Sequence, residues 1–513
     1  MSDKKILAYD LGTGGNKASL YDIGGVCLES VFVPCDTIYP RSGWHEQRPE
    51  DWWKAVVQGT LKLLSRRSDE ARNIECISIS GHSLGAVPLD AHGRLLRDST
   101  PIWSDTRAED EVKEFFRDRD ECSWYMRTGN GFPPACYTLF KIMWYRNNEP
   151  EMFRRIAKII GTKDYINYRL TGNICTDYSY ASGSGAYDLQ GWDYDAGLIE
   201  ASGLPRRIFP ELVPSTQVVG ELLPEAAREL GLSRDVKVVC GGVDNSCMAL
   251  GAGNIAEGRL YTSLGSSAWI AVSSKEPVLE LERRPFVFTH VIPKMFTSAV
   301  SIFAAGSSLK WVRDTLCTDL IAQAEERGRD PYELMIQAAA RSPVGSRNLL
   351  FNPSLAGGTS QEKSSHIRGA FAGLELGHRQ EDLIRACLEG IALNLGSVFE
   401  LLKGYGGTDA AEMVMVGGGS KSPLWLQIFA DIYEMDVLKT NVDQDAGSLG
   451  AAALGAVGCG LWRDFRRIDE IHRVQERYRP IPENVRCYRA LRPAFEALRI
   501  SQANLGEMLH PKE

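Results

Sequence analysis

The sequence predicts an α/β protein of two domains, each built on a mixed sheet flanked by helices. Three observations carry that expectation. The chain has 513 residues, too many for one hydrophobic core at roughly 150 residues per domain. Runs with the two-residue period of strands alternate with amphipathic helical runs, the pattern of sheets covered by helices. A glycine-rich bend between two strand-like runs occurs near the start and again in the second half.

"KILAYDLG" and "KASLYDIG" predict a hairpin around "DLGTGG", and "GGVCLESVFVPCDT" a third antiparallel strand. "RPEDWWKAVVQGTLKLLSRR" predicts a helix, with Pro49 near its start and Glu50 and Asp51 in the first turn. "ECISISGHSLGAVPLD" is a buried strand running into a loop, and "DVKVVCGGVDN" another that ends in two glycines and Asp244. "GRLYTSLGSSAWIAVSS" repeats the strand–turn–strand pattern. "AEMVMVGGGS" is a strand ending in three glycines. The helix "SPLWLQIFADIYEM" comes next, with Ser422 as N-cap and Pro423 at the first helical position. The tail from "RYRPIPEN" predicts a loop and a final helix. The division falls in the small, flexible "ALGAGNIAEG", giving domains 1–250 and 251–513.

Composition narrows the function classes. The formal charge is −8 and Lys and Arg are dispersed, so neither nucleic acid nor an anionic membrane is an expected partner. No window reaches the ~18 apolar residues of a membrane span. The nearest case, "GSLGAAALGAVGCG", fits a tightly packed buried helix. Twelve cysteines lie singly with no C-x-x-C pair. They predict free buried thiols in a reducing compartment, and the expected location is the cytoplasm.

Each bend is open to two interpretations. Glycine supplies positive φ cheaply, so "DLGTGG" is compatible with an ordinary hairpin turn. Equally, backbone N–H groups in such a bend cradle phosphate without Lys or Arg. A Walker loop and a dinucleotide fingerprint are excluded, since both lead into a helix and here a strand comes next. Two bends, one per half, can close on a triphosphate from both sides. Asp10 ends the first strand, where a carboxylate can hold hydrated Mg²⁺. Asp244 is either a turn residue bonding its own backbone or a positioned base. The second is favoured, because a hydroxyl nucleophile needs a base and no His lies in a comparable loop.

Taken together, "YDLGTGGNK", "GWHEQRPEDWW", "PIWSDTRA", "CYTLFKIMWYRNN", "DYINYRLTGNICTDYSYAS", "GGVDN", "YTSLGSSAW", "GAFAGLELGHRQEDLIRACLEG" and "GGGSKSPLWLQIFADI" resemble, in order and spacing, the FGGY carbohydrate kinases of the actin, hexokinase and heat-shock-chaperone superfamily. Cys136, Tyr145 and Cys387 depart from the family signatures. The resemblance implies two actin-like (ribonuclease H-like) domains around an interdomain cleft, which closes on ATP and Mg²⁺. It implies Asp244 as general base, taking a proton from a sugar hydroxyl as it attacks the γ-phosphate, and Asp10 as the water-mediated metal residue with Asp244 beside the ion. Gly12, Thr13, Gly14 and Lys17 would meet the nucleotide from one domain. Ser263, Gly265, Ser266, Gly306 and Lys310 would meet it from the other, with Gly417, Gly418 and Ser422 at the adenosine. Lys310 stands where some members carry Gln.

The same resemblance places the sugar on the loop "GHSLG". Glycerol kinases carry Arg-Glu where this chain has Ser83 and Leu84, and xylulokinases typically carry Met-His there. His82 either takes over the polar contact or merely packs at the strand end. Trp103, Asp105 and Asn245 complete the expected substrate contacts. The expectation is an ATP-dependent kinase, in a homodimer, acting on the terminal hydroxyl of a ketopentose such as xylulose. Ribulose, erythritol and gluconate are alternative substrates. A non-catalytic nucleotide switch or a sugar sensor is the alternative class.

Overall fold

The computed structural model describes residues 4–359, 362–404 and 410–510. The chain groups into two units. The first comprises Met1–Ala256, Ser273–Thr297 and Asp445–His472, and the second Glu257–Val272, Ser298–Gln444 and Arg473–Glu513. This grouping departs from a single cut at 250/251, because two later stretches pack with the first unit.

In the first unit, β1 (Lys5–Gly12), β2 (Gly15–Asp22) and β3 (Cys27–Pro34) form an antiparallel meander. Ile6, Leu7, Ala8, Tyr9 and Leu11 of β1 are fully buried, so this strand is enclosed on both faces and reads as a near-continuous apolar run. Helix α1 (Pro49–Arg66) starts at its proline and packs on β2 and β3 through Trp52, Val56 and Leu63. β4 (Ile74–Gly81) pairs in parallel with β1. Helix α2 (Thr162–Thr171) leads towards β5 (Val218–Glu221), and β6 (Lys237–Val243) joins β4 in parallel. The strand order is β5-β6-β4-β1-β2-β3. β6 passes directly into α3 (Asp244–Gly251). Residues between β4 and β5 add a second core around Trp124, Tyr137, Phe140 and Met143.

The second unit repeats the plan. β7 (Leu260–Leu264) and β8 (Ala268–Ser274) form a hairpin, succeeded by β9 (Phe296–Ile302) and helix α4 (Gly306–Leu316). The long helix α5 (Gln380–Gly404) precedes β10 (Glu412–Val416), which pairs in parallel with β7 as β4 does with β1. Helix α6 (Pro423–Tyr433) is capped by Ser422, whose hydroxyl accepts the Trp425 N–H at 3.2 Å, and Pro423 occupies the first helical position. β11 (Asp436–Thr440) extends the sheet in parallel.

Helix α7 (Ala446–Gly458) then belongs to the first unit, where it packs on α3, β1, β4 and β6. Its small residues are required by close approach. A Cβ on Gly450 would lie 1.9 Å from the Cys247 carbonyl oxygen, and one on Gly251 of α3 1.8 Å from that of Ala446. β12 (Val474–Tyr478) closes the second sheet antiparallel to β11, and α8 (Pro482–Leu509) ends the described chain. In this seven-stranded sheet the order β9-β8-β7-β10-β11-β12 matches the first sheet read from its meander edge, and a further strand, Phe286–Thr289, lies beside β9. All twelve cysteines are free thiols. Among the described residues no helix is long and apolar enough to cross a membrane.

Candidate active site

The first bend is a two-residue loop. Gly12 pairs with Gly15, leaving Thr13 and Gly14 at the tip. Gly15 stands at φ +147°, and a Cβ there would lie 2.2 Å from the Val33 carbonyl oxygen, so only glycine lets β3 pass this close. Thr13 is held from both ends. Its carbonyl accepts from Gln47 Nε2 at 2.7 Å, and its hydroxyl oxygen from Trp103 Nε1 at 2.8 Å. Gln47 is in turn held by Trp52, whose indole N–H donates to Oε1 at 2.8 Å. Trp103, expected as a sugar wall, thus reaches the phosphate hairpin with its ring nitrogen. Gly14 is exposed, and a Cβ there would meet nothing within 4 Å.

Asp10 lies two residues before the end of β1, beside this loop. Ser80 of β4 donates to its Oδ1 at 2.8 Å. Lys17 of β2 pairs with Asp445 at 3.0 Å. Water touches part of Asp10 and Asp244, yet the packing around both strips most of their hydration. Burial raises the Asp10 pKa, opposed by the Ser80 hydroxyl and the Lys17 charge and reinforced by Asp445. The Asp244 carboxyl is pushed up to about 7, chiefly by burial, with the Asn245 N–H opposing the rise and the Asp10 charge adding to it. The Asn245 N–H donates to Asp244 Oδ1 at 2.8 Å, and Asn245 itself is nearly buried. Asp10, Lys17 and Asp244 therefore share one electrostatic neighbourhood in the first unit. A carboxyl poised near 7 at a strand end is suited to accepting a proton at neutral pH.

The loop after β4 is tightly held. His82 is buried at 1% exposure. Its Nδ1 lies 3.2 Å from Thr162 Oγ1, its ring meets Trp52 edge-on at 5.4 Å, and Nε2 has no hydrogen-bond partner. Burial lowers its pKa to about 4, so the ring is neutral near pH 7. Ser83 is buried, and Leu84, fully buried, adopts φ +60°, a strained conformation for a branched side chain. Lys141, also fully buried, fixes this shape by donating to the Leu84 carbonyl at 3.0 Å and the Ile102 carbonyl at 2.6 Å. Asp105 is committed elsewhere. It accepts from the His45 N–H at 2.7 Å and from Arg107 Nε and Nη2 at 2.9 and 2.7 Å, so a sugar hydroxyl would have to displace one of these bonds.

In the second unit the bend is one residue longer, with Gly265, Ser266 and Ser267 between the paired Leu264 and Ala268. The start of α4 docks onto it. The Gly306 N–H donates to the Gly265 carbonyl at 3.0 Å and the Ala305 N–H to that of Ser266 at 2.9 Å. A Cβ on Gly306 would lie 2.5 Å from the Gly265 oxygen. Ser263 faces Trp269 in the ladder. Gly417, at φ +94°, crosses β7 where a Cβ would lie 2.8 Å from the Leu264 oxygen. Gly418 continues into the short 3₁₀ turn before Ser422. These residues therefore cluster at the ends of β7 and β10. Lys310 is set apart on an exposed face of α4, paired with Asp314 at 3.3 Å. The residues not anticipated are Gln47, Lys141, Asp445 and Gly447. Gln47, Lys141 and Gly447 lie in stretches that the sequence singles out, and only Asp445 does not.

The family model described as "FGGY family of carbohydrate kinases, N-terminal domain" matches residues 5–251, and its C-terminal counterpart residues 260–459. The chain is 33% identical over 510 residues to a xylulose kinase of Lactococcus lactis, covering 98% of each chain. It is 30% identical over 494 residues to a gluconokinase of Bacillus subtilis, covering 96% of this chain and 94% of the other. The fold superposes with a TM-score of 0.88 on the ligand-bound xylulose kinase of Lactobacillus acidophilus, at 26% identity and 98% coverage of both chains.

Proposed function

Since the chain belongs to the FGGY family of carbohydrate kinases and is an ATP-dependent sugar kinase, we propose that it phosphorylates the terminal hydroxyl of a ketopentose, D-xylulose foremost, with Asp244 as general base. The observation that carries this is the Asp244 carboxyl, set at the end of β6 with its pKa pushed up to about 7. A base near neutrality is deprotonated often enough to accept a proton, yet basic enough to take it as the oxygen attacks phosphorus.

The remaining roles depend on where the donors lie. Thr13 and Gly14, with Gly12 behind them, offer hydroxyl and backbone N–H groups to phosphate oxygens, and Lys17 adds a charge nearby. Ser263, Gly265, Ser266 and Gly306 offer the same kind of donors in the second unit. Gly417 and Gly418 leave room for a flat base and ribose, while the Ser422 hydroxyl is already engaged as a cap. Among the described residues no cluster of three or more acidic, His or Cys side chains can hold a metal. Mg²⁺ usually binds through one or two carboxylates, several waters and the substrate phosphates. Asp10 would hold it through water, and the ion would neutralise charge on the phosphates. His82, Ser83, Leu84, Trp103, Asp105 and Asn245 frame the sugar side. With His82 enclosed and Asp105 committed to Arg107, Trp103 and Asn245 are the stronger candidates for direct contact. Twelve free thiols support a reducing, cytoplasmic setting.

Gluconate is the second reading, supported by the gluconokinase relative, which aligns over nearly the whole chain. The test is an ATP-coupled panel of D-xylulose, L-xylulose, D- and L-ribulose, erythritol and gluconate, read by the mass gained by the sugar. D-xylulose is expected to gain one phosphate with the highest kcat/KM. Preferential turnover of gluconate would establish the second reading. Nucleotide binding without phosphorylation of any member would overturn both.

A further inference from the structure

The strand that delivers Asp244 is irregular. β6 runs parallel to β4, but the register slips between Val239 and Gly242. Gly241 lies at φ +75°, where a Cβ would stand 2.0 Å from the Ile79 carbonyl oxygen. Such a bulge re-aims the residues beyond it and takes backbone groups out of the ladder, and those groups need partners when buried.

A buried polar cluster supplies the partners. The Cys240 carbonyl accepts from Asn167 Nδ2 at 2.8 Å and from Lys163 Nζ at 3.5 Å. The Gly241 N–H donates to the Ser215 carbonyl at 3.0 Å. The Val243 N–H, one residue before Asp244, donates to Ser179 Oγ at 3.0 Å. Lys163, Ser179 and Ser215 meet at Asp177. Its Oδ2 accepts the Ser179 hydroxyl, the Ser179 N–H at 3.0 Å and the Ser215 hydroxyl at 2.7 Å. Its Oδ1 lies 3.0 Å from Lys163 Nζ, which also pairs with Asp164 at 2.6 Å. The Lys163 and Asp177 side chains are both 0% exposed.

We propose that Asp177, with Lys163, Ser179 and Ser215, forms a positioning hub that fixes the bulged end of β6 and so aims the Asp244 carboxylate. The inference rests on Asp244 being the base. A buried ion pair is a poor source of stability, since apolar residues of similar size often replace one without loss. What this one supplies is direction. The carboxylate holds two hydroxyls in fixed orientation, and one of them turns its lone pair to the Val243 N–H. Asp177 and Ser179 touch neither substrate in this scheme. They act through the backbone that carries Asp244.

The test compares Ser179→Ala, Asp244→Asn and the double variant, with D-xylulose and ATP. Ser179→Ala is expected to lower kcat by about 10- to 100-fold, the scale of a misplaced reacting group, and to leave the KM for ATP within about twofold. In the Asp244→Asn background the same change is expected to cost nothing further, because a group acting through another has no effect once that other is gone. An additive loss in the double variant, or an unchanged kcat in Ser179→Ala, overturns the hub. Full activity of Asp244→Asn alone instead overturns the base assignment. Thr128→Ala, which removes a buried hydrogen bond to the Trp124 carbonyl, controls for lost stability and should leave kcat unchanged. Should Ser179→Ala not fold, Ser215→Ala removes a donor from Asp177 while sparing the Val243 bond. It is then expected to lower kcat several-fold, again only when Asp244 is present, and an unchanged kcat overturns the hub.

Discussion

A Cβ placed on Gly447 would stand 2.5 Å from Oδ2 of Asp10. The first turn of α7 thus rests directly on the Asp10 carboxylate near the end of β1. Elsewhere in a helix Gly→Ala stabilises by about 1 kcal/mol. Here Gly447→Ala is expected to do the opposite, since Asp10 must leave its bond to Ser80. Steady-state kinetics should show kcat/KM falling by roughly 100-fold. Unchanged kinetics would remove Asp10 from the site.

Asp244→Asn keeps the shape of the side chain and removes the base. We expect kcat to fall by about 10²- to 10⁴-fold, the usual share of general base catalysis, with ATP affinity retained in a direct binding measurement. In the unmodified protein kcat/KM should rise with pH through about 7, as the Asp244 carboxyl loses its proton. A profile flat from pH 5 to 9 would contradict the assignment.

The same group makes a claim about stability. Its folded pKa, about 7, lies above the unfolded carboxyl value, so the folded state binds this proton more tightly. The contribution is fully present at low pH and is lost as pH rises through about 7. Asp244→Asn carries no such charge. Its melting temperature should therefore exceed the parent's by more at pH 8 than at pH 5. A gap that does not grow with pH would count against the buried, poised carboxyl.

Lys141 ties the Leu84 turn to the segment before Trp103. Lys141→Met keeps its length but leaves two carbonyls without a donor, at a cost of roughly 1–3 kcal/mol each. The sugar KM is expected to rise while that for ATP holds. Burial lowers the Lys141 pKa to about 8. Its folded value thus lies below the unfolded one, and the parent protein gains stability from this group as pH rises above about 8, a gain Lys141→Met should lack. Calorimetry at pH 7.5 and 9.5 compares the two.

The hairpins were legible because glycine and alternation act locally. "DLGTGG" and "LGSS" specify bends whatever surrounds them, and Pro49 and Ser422 mark helix starts in the same way. Asp244 stands out in the sequence because an acid after two glycines at a strand end is an unusual combination. The buried cluster around Asp177 does not stand out in the same way, since Lys163, Asp177 and Ser215 are separated along the chain and each resembles an ordinary helix or turn residue. Asp105 looked like a free acceptor only because its partner Arg107 is paired through geometry that spacing alone does not give. The exchange of residues 445–472 into the first unit was hidden for a related reason. A run of Ala and Gly indicates close packing without naming the surface it packs on.

That exchange bears on how the polypeptide is made. On the ribosome, β1, β4 and β6 emerge long before α7, so the nascent first half must wait with one face of its sheet uncovered. A gene fragment stopped after residue 250 should yield insoluble or chaperone-bound product, and adding the 445–472 peptide in trans should rescue it. The two halves, although alike in plan, mature as one translation unit rather than in sequence.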